Sequence, residues 1–351
     1  MAVPSDHHIC TDLQRQVHLS LEKEIFGREF RPEEFSSKDL IVNIVDGTFL
    51  HYTTISRVQQ TTSNVLVCLH GYAGLGAVFY RLIKELANDY YIVLVDLPDM
   101  GFSSRHNEPL FSTTLSTIDF FVSALEVFLQ KMCLHQFTLI GHSIGAYLAT
   151  YLFKKLHANI FQLFLLSPAG FNKPGDLEFE ERRRKFIENM SYIKKIIYLK
   201  VEKNIFVKKY SPFELFYLPT WVKKWFFQKY WFRPRFKMQP RESFLFSEIF
   251  GYFMTLPQQG ERCLGYLLHN GVKSTHPIID VLVQLNSQKD KIHIFFGDED
   301  WMDSAHTEKS LTENNLDITI YIVPDSEHQL IFQNPVFIAS CIRTAAQQFK
   351  C

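Results

Sequence analysis

Gly141-His142-Ser143-Ile144-Gly145 lies between the apolar run 137–142 and a helical pattern over 144–157. A serine hydroxyl is a poor nucleophile at its own pKa and needs a positioned base. A G-x-S-x-G sequence between a buried strand and a helix supplies the first half of that chemistry. The tight turn exposes Ser143 Oγ, and the glycines let strand and helix approach without Cβ clashes. The adjacent helix N-terminus favours developing negative charge. The pattern points to Ser143 attacking an acyl carbonyl. The bland alternative is an ordinary Gly-Ser turn.

On this kind of elbow the chain order is serine, acid, then histidine. His328 follows the last strand, in PDSEHQLIF, where the base belongs. His70 and His142 belong to turn motifs, and His269, His276 and His293 fall in an irregular segment or at a strand start. The acid must hold the histidine tautomer and stabilise the imidazolium. The loop GDEDWMD offers Asp298, Glu299, Asp300 and Asp303. A G-x-x-D spacing selects Asp300, with Asp303 as the alternative, and Asp298 and Glu299 read as solvated. The turn His70-Gly71-Tyr72-Ala73-Gly74 follows another strand pattern and should supply one oxyanion donor. The expected donors are the backbone N–H groups of Ile144 and Tyr72, with Ala73 as the substitute for Tyr72.

Residues 40–56 read as two strands around a turn at Asp46-Gly47. Unalternating apolar runs follow at 64–70, 90–97, 137–142, 161–167 and 292–298, as strands buried on both faces require, and DITIYIV (317–323) reads as a further strand. Helical patterns near 77–88, 115–132, 144–157, 304–314 and 335–349 separate them. Strand–helix alternation implies an α/β fold, a mostly parallel sheet with helices on both faces. The alternation stops at Phe171 and resumes near Pro277. The expected organisation is an extension (1–38), a core (39–170), an inserted helical cap (171–276) and the rest of the core (277–351).

HGYAG (70–74), DLPDMGFSSR (96–105), GHSIGAYLA (141–149), LLSPAGF (165–171), GDEDWMD (297–303) and SEHQLIFQNP (326–335) occur in an order that resembles the α/β-hydrolase fold. GHSIGAYLA, LLSPAGF, GDEDWMD and QQGERCLGYLLHNGVKSTHPI (258–278) are similar to the branch of N-acyl-phospholipid lipases, the mitochondrial cardiolipin deacylase and a lipase coactivator. The resemblance covers roughly residues 40–350, except much of 172–240. It implies a serine ester hydrolase acting on lipids, of lipase or phospholipase type, needing neither metal nor organic cofactor. Coactivator members of that branch lack the serine that this chain keeps. Members proposed as lysophosphatidic-acid acyltransferases carry H-x4-D, whereas Gln333 stands here in the Asp position of HQLIFQ. Both departures favour hydrolysis over a binding-only or acyl-transfer role.

Composition fits that class: 46% of the chain is apolar and 21% charged, which supports a packed core and argues against disorder. The six cysteines are scattered without a CxxC pair, so reduced thiols are expected rather than a metal site. The first residues lack the apolar core of a secretory signal, and no apolar run reaches the roughly 18 residues of a spanning helix. An intracellular, cytoplasmic protein with peripheral membrane association is expected, with the mitochondrion as a second option.

Zero net charge hides an asymmetry. Residues 171–241 carry 18 Lys and Arg against 7 Asp and Glu, a net of +11, on a remainder of −11. Trp221, Trp225 and Trp231 interleave there with Lys223, Lys224, Lys229, Arg233 and Arg235. Tryptophan favours the membrane interface and basic residues favour anionic headgroups. The sharp expectation is a cap that docks on an anionic membrane or lipid-droplet surface through Trp221, Lys223, Lys224, Trp225, Trp231, Arg233 and Arg235. The plain one is an aromatic cap packed on its own core. No nucleic-acid recognition motif accompanies the basic stripe.

Overall fold

The computed structural model describes residues 6–43, 47–61, 64–171, 173, 177–214, 219–269 and 273–348. Eight strands form one sheet: β1 (Phe35–Ile41), β2 (Phe49–Ile55), β3 (Val65–Leu69), β4 (Tyr91–Val95), β5 (Phe137–His142), β6 (Ile160–Leu166), β7 (Ile292–Gly297) and β8 (Thr319–Val323). Their spatial order is β1-β2-β4-β3-β5-β6-β7-β8. β2 is antiparallel to β1 and β4, and every pair from β4 to β8 is parallel.

Helices α1 (Asp6–Gly27), α2 (Tyr80–Leu86), α3 (Thr114–Lys131) and α4 (Ile144–Leu156) precede or alternate with the first six strands. Between β6 and β7 come α5 (Leu177–Glu188), α6 (Tyr192–Glu202), α7 (Thr220–Trp231), α8 (Pro240–Phe253), α9 (Cys263–Leu267) and α10 (Ile278–Gln284). The remaining helices are α11 (Ser304–Glu313), α12 (Leu330–Gln333) and α13 (Pro335–Gln348).

β3 and β4 carry no charged or amide side chain because both faces of the sheet are covered there. Val65, Val67 and Leu69 of β3 pack with residues of α3, α4 and α10, while Leu66 and Cys68 pack with α2, α8 and α13. The predicted strands and helices of the core recur within a few residues of their expected bounds. The turn around Asp46 lies outside the described residues.

Two features of the first 41 residues depart from expectation. β1 begins at Phe35, inside the expected extension, and α1 is bound to the rest of the molecule by the buried Leu19, Ile25 and Phe26 as well as by polar contacts. Arg15 donates to Asp39 and to the Phe102 carbonyl. Arg241 of α8 forms an ion pair with Glu24, and His18 stacks on Tyr252.

At the centre of this attachment His51 of β2 is buried between two carboxylates. Its Nδ1 is 2.8 Å from Asp39 Oδ1 and its Nε2 is 3.1 Å from Glu22 Oε2. Burial opposes charge on the ring, but Glu22, Asp39 and the neighbouring Asp96 overcome it, and the pKa is pushed up to about 10. A folded pKa above the unfolded one stabilises fully below the unfolded pKa of about 6.5 and is lost as pH rises through the folded value. The thermal midpoint is therefore expected to fall between pH 7 and pH 10. Ring nitrogen shifts of His51 should report imidazolium at pH 8. A neutral His51 ring at that pH would contradict the assignment.

Candidate active site

Parallel strands deliver their carboxyl ends to one edge of the sheet, where α/β folds place ligands. Ser143 follows β5, Ser167 follows β6, Asp300 follows β7, and His328 follows β8. The HGYAG turn follows β3.

Ser143 has φ 57 and ψ −117, a backbone conformation that non-glycine residues rarely adopt. Its surroundings hold it there. Its N–H donates to the Leu166 carbonyl (2.9 Å), and its carbonyl accepts from Ala146, Tyr147 and Ala169. The flanking glycines are required by contact. A Cβ on Gly145 would lie 2.3 Å from the carbonyl oxygens of Leu69 and His70, and one on Gly141 would lie 2.5 Å from the Gly145 oxygen.

The Ser143 hydroxyl lies 3.0 Å from His328 Nε2. His328 Nδ1 lies 3.3 Å from Asp300 Oδ1. Asp300 also accepts from the Ser167 hydroxyl at Oδ2 (2.5 Å) and from the Met302 N–H at Oδ1 (3.0 Å). Burial pushes the Asp300 carboxyl upward, but the hydrogen bonds from His328, Ser167 and Met302 hold it below the usual carboxylate range. An ionised Asp300 fixes the His328 proton on Nδ1 and leaves Nε2 free to accept from Ser143.

Asp303, the alternative acid, caps α11 by accepting from the His306 N–H at 2.9 Å. Asp298 is exposed as expected, but it is not merely solvated. It accepts from the backbone N–H groups of Asp325 and Ser326, tying the acid-bearing loop to the base-bearing one. Glu299 pairs with Arg235.

Two supports of the site carry no periodic signal in the sequence. Ser167, with φ 45 and a fully buried side chain, donates to Asp300. His142 donates from Nε2 to the His328 carbonyl at 2.8 Å. Burial, then the neighbouring His328, lowers the His142 pKa to about 3, so it remains a neutral donor over the working pH range. The only hint was position: polar residues at the carboxyl ends of adjacent parallel strands.

The HGYAG turn closes over the elbow. Gly74 N–H donates to the Gly71 carbonyl, and a Cβ on Gly71 would lie 3.2 Å from Ser143 Cβ. His70 Nε2 accepts from the Leu97 N–H and its Nδ1 donates to the Gly71 carbonyl, which fixes one neutral tautomer. Burial lowers its pKa to about 4. Tyr72, Ala73 and Ile144 all line the cavity containing Ser143. The Tyr72 ring stacks on Phe213, beyond the sheet edge.

That cavity measures about 500 Å³ and contains Ser143 and His328 beside a long apolar wall. Val78, Phe213, Phe227, Trp231, Phe250 and Leu264 belong to the wall. Trp301 stands near the base, its ring 4.9 Å from that of His328, and is 62% exposed. Among the described residues no group of three or more His, Cys, Asp or Glu side chains could hold a metal ion.

The basic tryptophan stripe requires correction. Trp231 is 3% exposed and packs against Phe236, Phe246, Phe250 and Phe332, so it is core and cavity wall rather than membrane surface. Arg235 bridges Glu299 and Glu327, on the loops that carry Asp300 and His328. Lys224 pairs with Glu248, and Arg233 lies over the Tyr230 ring. Lys223 is half-buried. Trp221 and Trp225 remain exposed, with Lys229 Nζ over the Trp225 ring at 4.2 Å.

Residues 64–191 match the family model described as alpha/beta hydrolase fold. A "Probable 1-acylglycerol-3-phosphate O-acyltransferase" of Oryza sativa subsp. japonica is 23% identical over 302 residues, 84% of this chain and 70% of the relative. "1-acylglycerol-3-phosphate O-acyltransferase ABHD5" of Rattus norvegicus is 28% identical over 142 residues, 40% of this chain and 39% of the relative. A solved structure described as a putative lipase (lip1) from Acinetobacter baumannii AYE superposes with a TM-score of 0.61 at 18% identity, covering 96% of both chains.

Proposed function

We propose that this chain, an α/β-hydrolase-fold protein similar to the lipase-coactivator branch, is a serine ester hydrolase that releases a fatty acid from a glycerophospholipid or lysophospholipid. The observation that carries the reading is the hydrogen-bonded line Ser143–His328–Asp300 opening on an apolar cavity. His328 Nε2 takes the Ser143 proton as Oγ attacks the acyl carbonyl. The tetrahedral oxyanion is stabilised by the backbone N–H groups of Ile144 and Tyr72, at the start of α4 and in the HGYAG turn. His328 then protonates the leaving alcohol. Water, activated by the same imidazole, attacks the acyl-enzyme and frees the fatty acid.

The apolar wall supports a lipid substrate, because it would bury an acyl chain that water would otherwise hydrate. The exposed Trp221 and Trp225 and the basic excess of 171–241 support work at an anionic lipid surface.

Acyl transfer is the second reading, favoured by the names of two relatives. Gln333 speaks against it. Its Oε1 accepts from the Glu327 N–H, so this position braces the base loop and offers no carboxylate. In an assay holding both a lysophospholipid and a long-chain acyl-CoA, free fatty acid should form at least about tenfold faster than diacyl product, and Ser143→Ala should remove it. Acyl-CoA-dependent diacyl product forming faster than fatty acid would replace hydrolysis with transfer.

A further inference from the structure

Helix α6 is built inside out. Tyr192, Ile193, Ile196, Ile197 and Leu199 recur at the spacing of one helical face. In a helix packed on a protein that face would point inward. Here all five are exposed, Tyr192 at 79% and Ile193 at 70%, and α6 has no buried residue. The opposite face, with Lys195, Tyr198 and Glu202, is the half-buried one. Glu202 accepts from Arg183 and lies near the Tyr198 hydroxyl. The Arg183–Glu202 pair joins this face to α5, and the apolar side faces outward.

We infer that α6 is the element that docks this protein on an anionic lipid surface, by laying its exposed isoleucine face among the acyl chains. Charge names the occupant. Lys194, Lys195, Lys200 and the adjoining Lys203 accompany the apolar residues, and Glu202, the one acid of the helix, is paired with Arg183. By spacing, Lys200 and Lys203 fall within the outward face, where long stems can lie along apolar surface and raise the ammonium groups to headgroup level. A protein groove would leave those ammonium groups to be matched by acids, whereas anionic headgroups match them wherever they fall.

Position supports the same occupant. α6 runs straight into the π-helical turn Lys203–Val207. Phe206 of that turn lines the cavity that holds Ser143, and Val207 beside it is 68% exposed. A lipid surface on α6 thus borders the wall that an acyl chain would follow. The docking role deepens the proposed lipid hydrolysis but does not depend on the triad.

Wild type, Ser143→Ala and the double variant Ile193→Gln/Ile197→Gln are sedimented with vesicles of phosphatidylcholine alone or with phosphatidylglycerol. Because the substituted side chains are exposed, the double variant should keep the wild-type thermal midpoint. It should bind the anionic vesicles about tenfold or more weakly. Ser143→Ala should bind as wild type, and wild type should favour the anionic vesicles. Equal binding by the double variant and wild type would overturn the docking role and leave ester hydrolysis standing. Equal binding to neutral and anionic vesicles would overturn it as well, as would a wild-type dimer that the double variant abolishes. Vesicle binding without turnover of any ester by wild type would sustain docking and defeat the hydrolase reading.

Discussion

Ser143→Ala is expected to lower ester turnover by about 10⁴- to 10⁶-fold, the loss seen when a triad nucleophile is removed. The fold should survive. The substitution removes one hydroxyl and its hydrogen bond to His328, while the backbone bonds to Leu166 and Ala169 that hold the elbow remain. Alanine has the same Cβ as serine, so it meets the φ 57, ψ −117 backbone with no added steric demand. The measurement is turnover of a soluble short-chain ester, with the thermal midpoint as the control for folding. Wild-type turnover in a folded Ser143→Ala protein would remove Ser143 from the chemistry.

The second large effect separates the two candidate acids. Asp300→Asn should cost about 10⁴-fold in turnover at neutral pH, because an amide can donate to His328 Nδ1 and so stabilise the wrong tautomer. In that tautomer Nε2 carries the proton and cannot take one from Ser143. Ser167 would still find an acceptor in the Asn carbonyl, while the Met302 N–H would lose its acceptor where the amide nitrogen stands. Asp303→Asn should leave turnover within about threefold of wild type, since asparagine caps a helix about as well as aspartate. The Met302 N–H bond and the burial of Asp300 belong to the same argument: they place a carboxylate, not an exposed loop acid, behind the imidazole. If Asp303→Asn proved the damaging change, the acid would be reassigned.

The core and the elbow around Ser143 were legible because their signals are local. Buried parallel strands read as short apolar runs, and Ser143 lies in a strand–turn–helix whose glycines are demanded by contacts below 3 Å. Chain order put His328 after the last strand, and the structure brings its Nε2 to 3.0 Å from the Ser143 hydroxyl. Asp300 was preferred by spacing, and the structure places it, rather than Asp303, beside His328.

What escaped the sequence depends on direction or on distant partners. Trp231 has the composition of an interfacial residue, yet its side chain turns into an aromatic cluster. Spacing identifies the apolar face of α6 but not which way it points, and here it points out. Arg235 counts as a positive surface charge until Glu299 and Glu327, far along the chain, are brought against it. Helix α1 buries Leu19, Ile25 and Phe26 in the core and is also fastened by ion pairs to Asp39, His51 and Arg241, distant partners that no local pattern announces.

The central claim is that Ser143 is a nucleophile activated by His328. Its most direct test is the intact mass of the folded protein after exposure to a fluorophosphonate, followed by peptide mapping. The expected result is a single phosphonyl adduct on the peptide containing Ser143, absent from Ser143→Ala and strongly slowed in Asp300→Asn. A folded wild-type protein that takes no adduct, or takes it at another residue, would contradict the account.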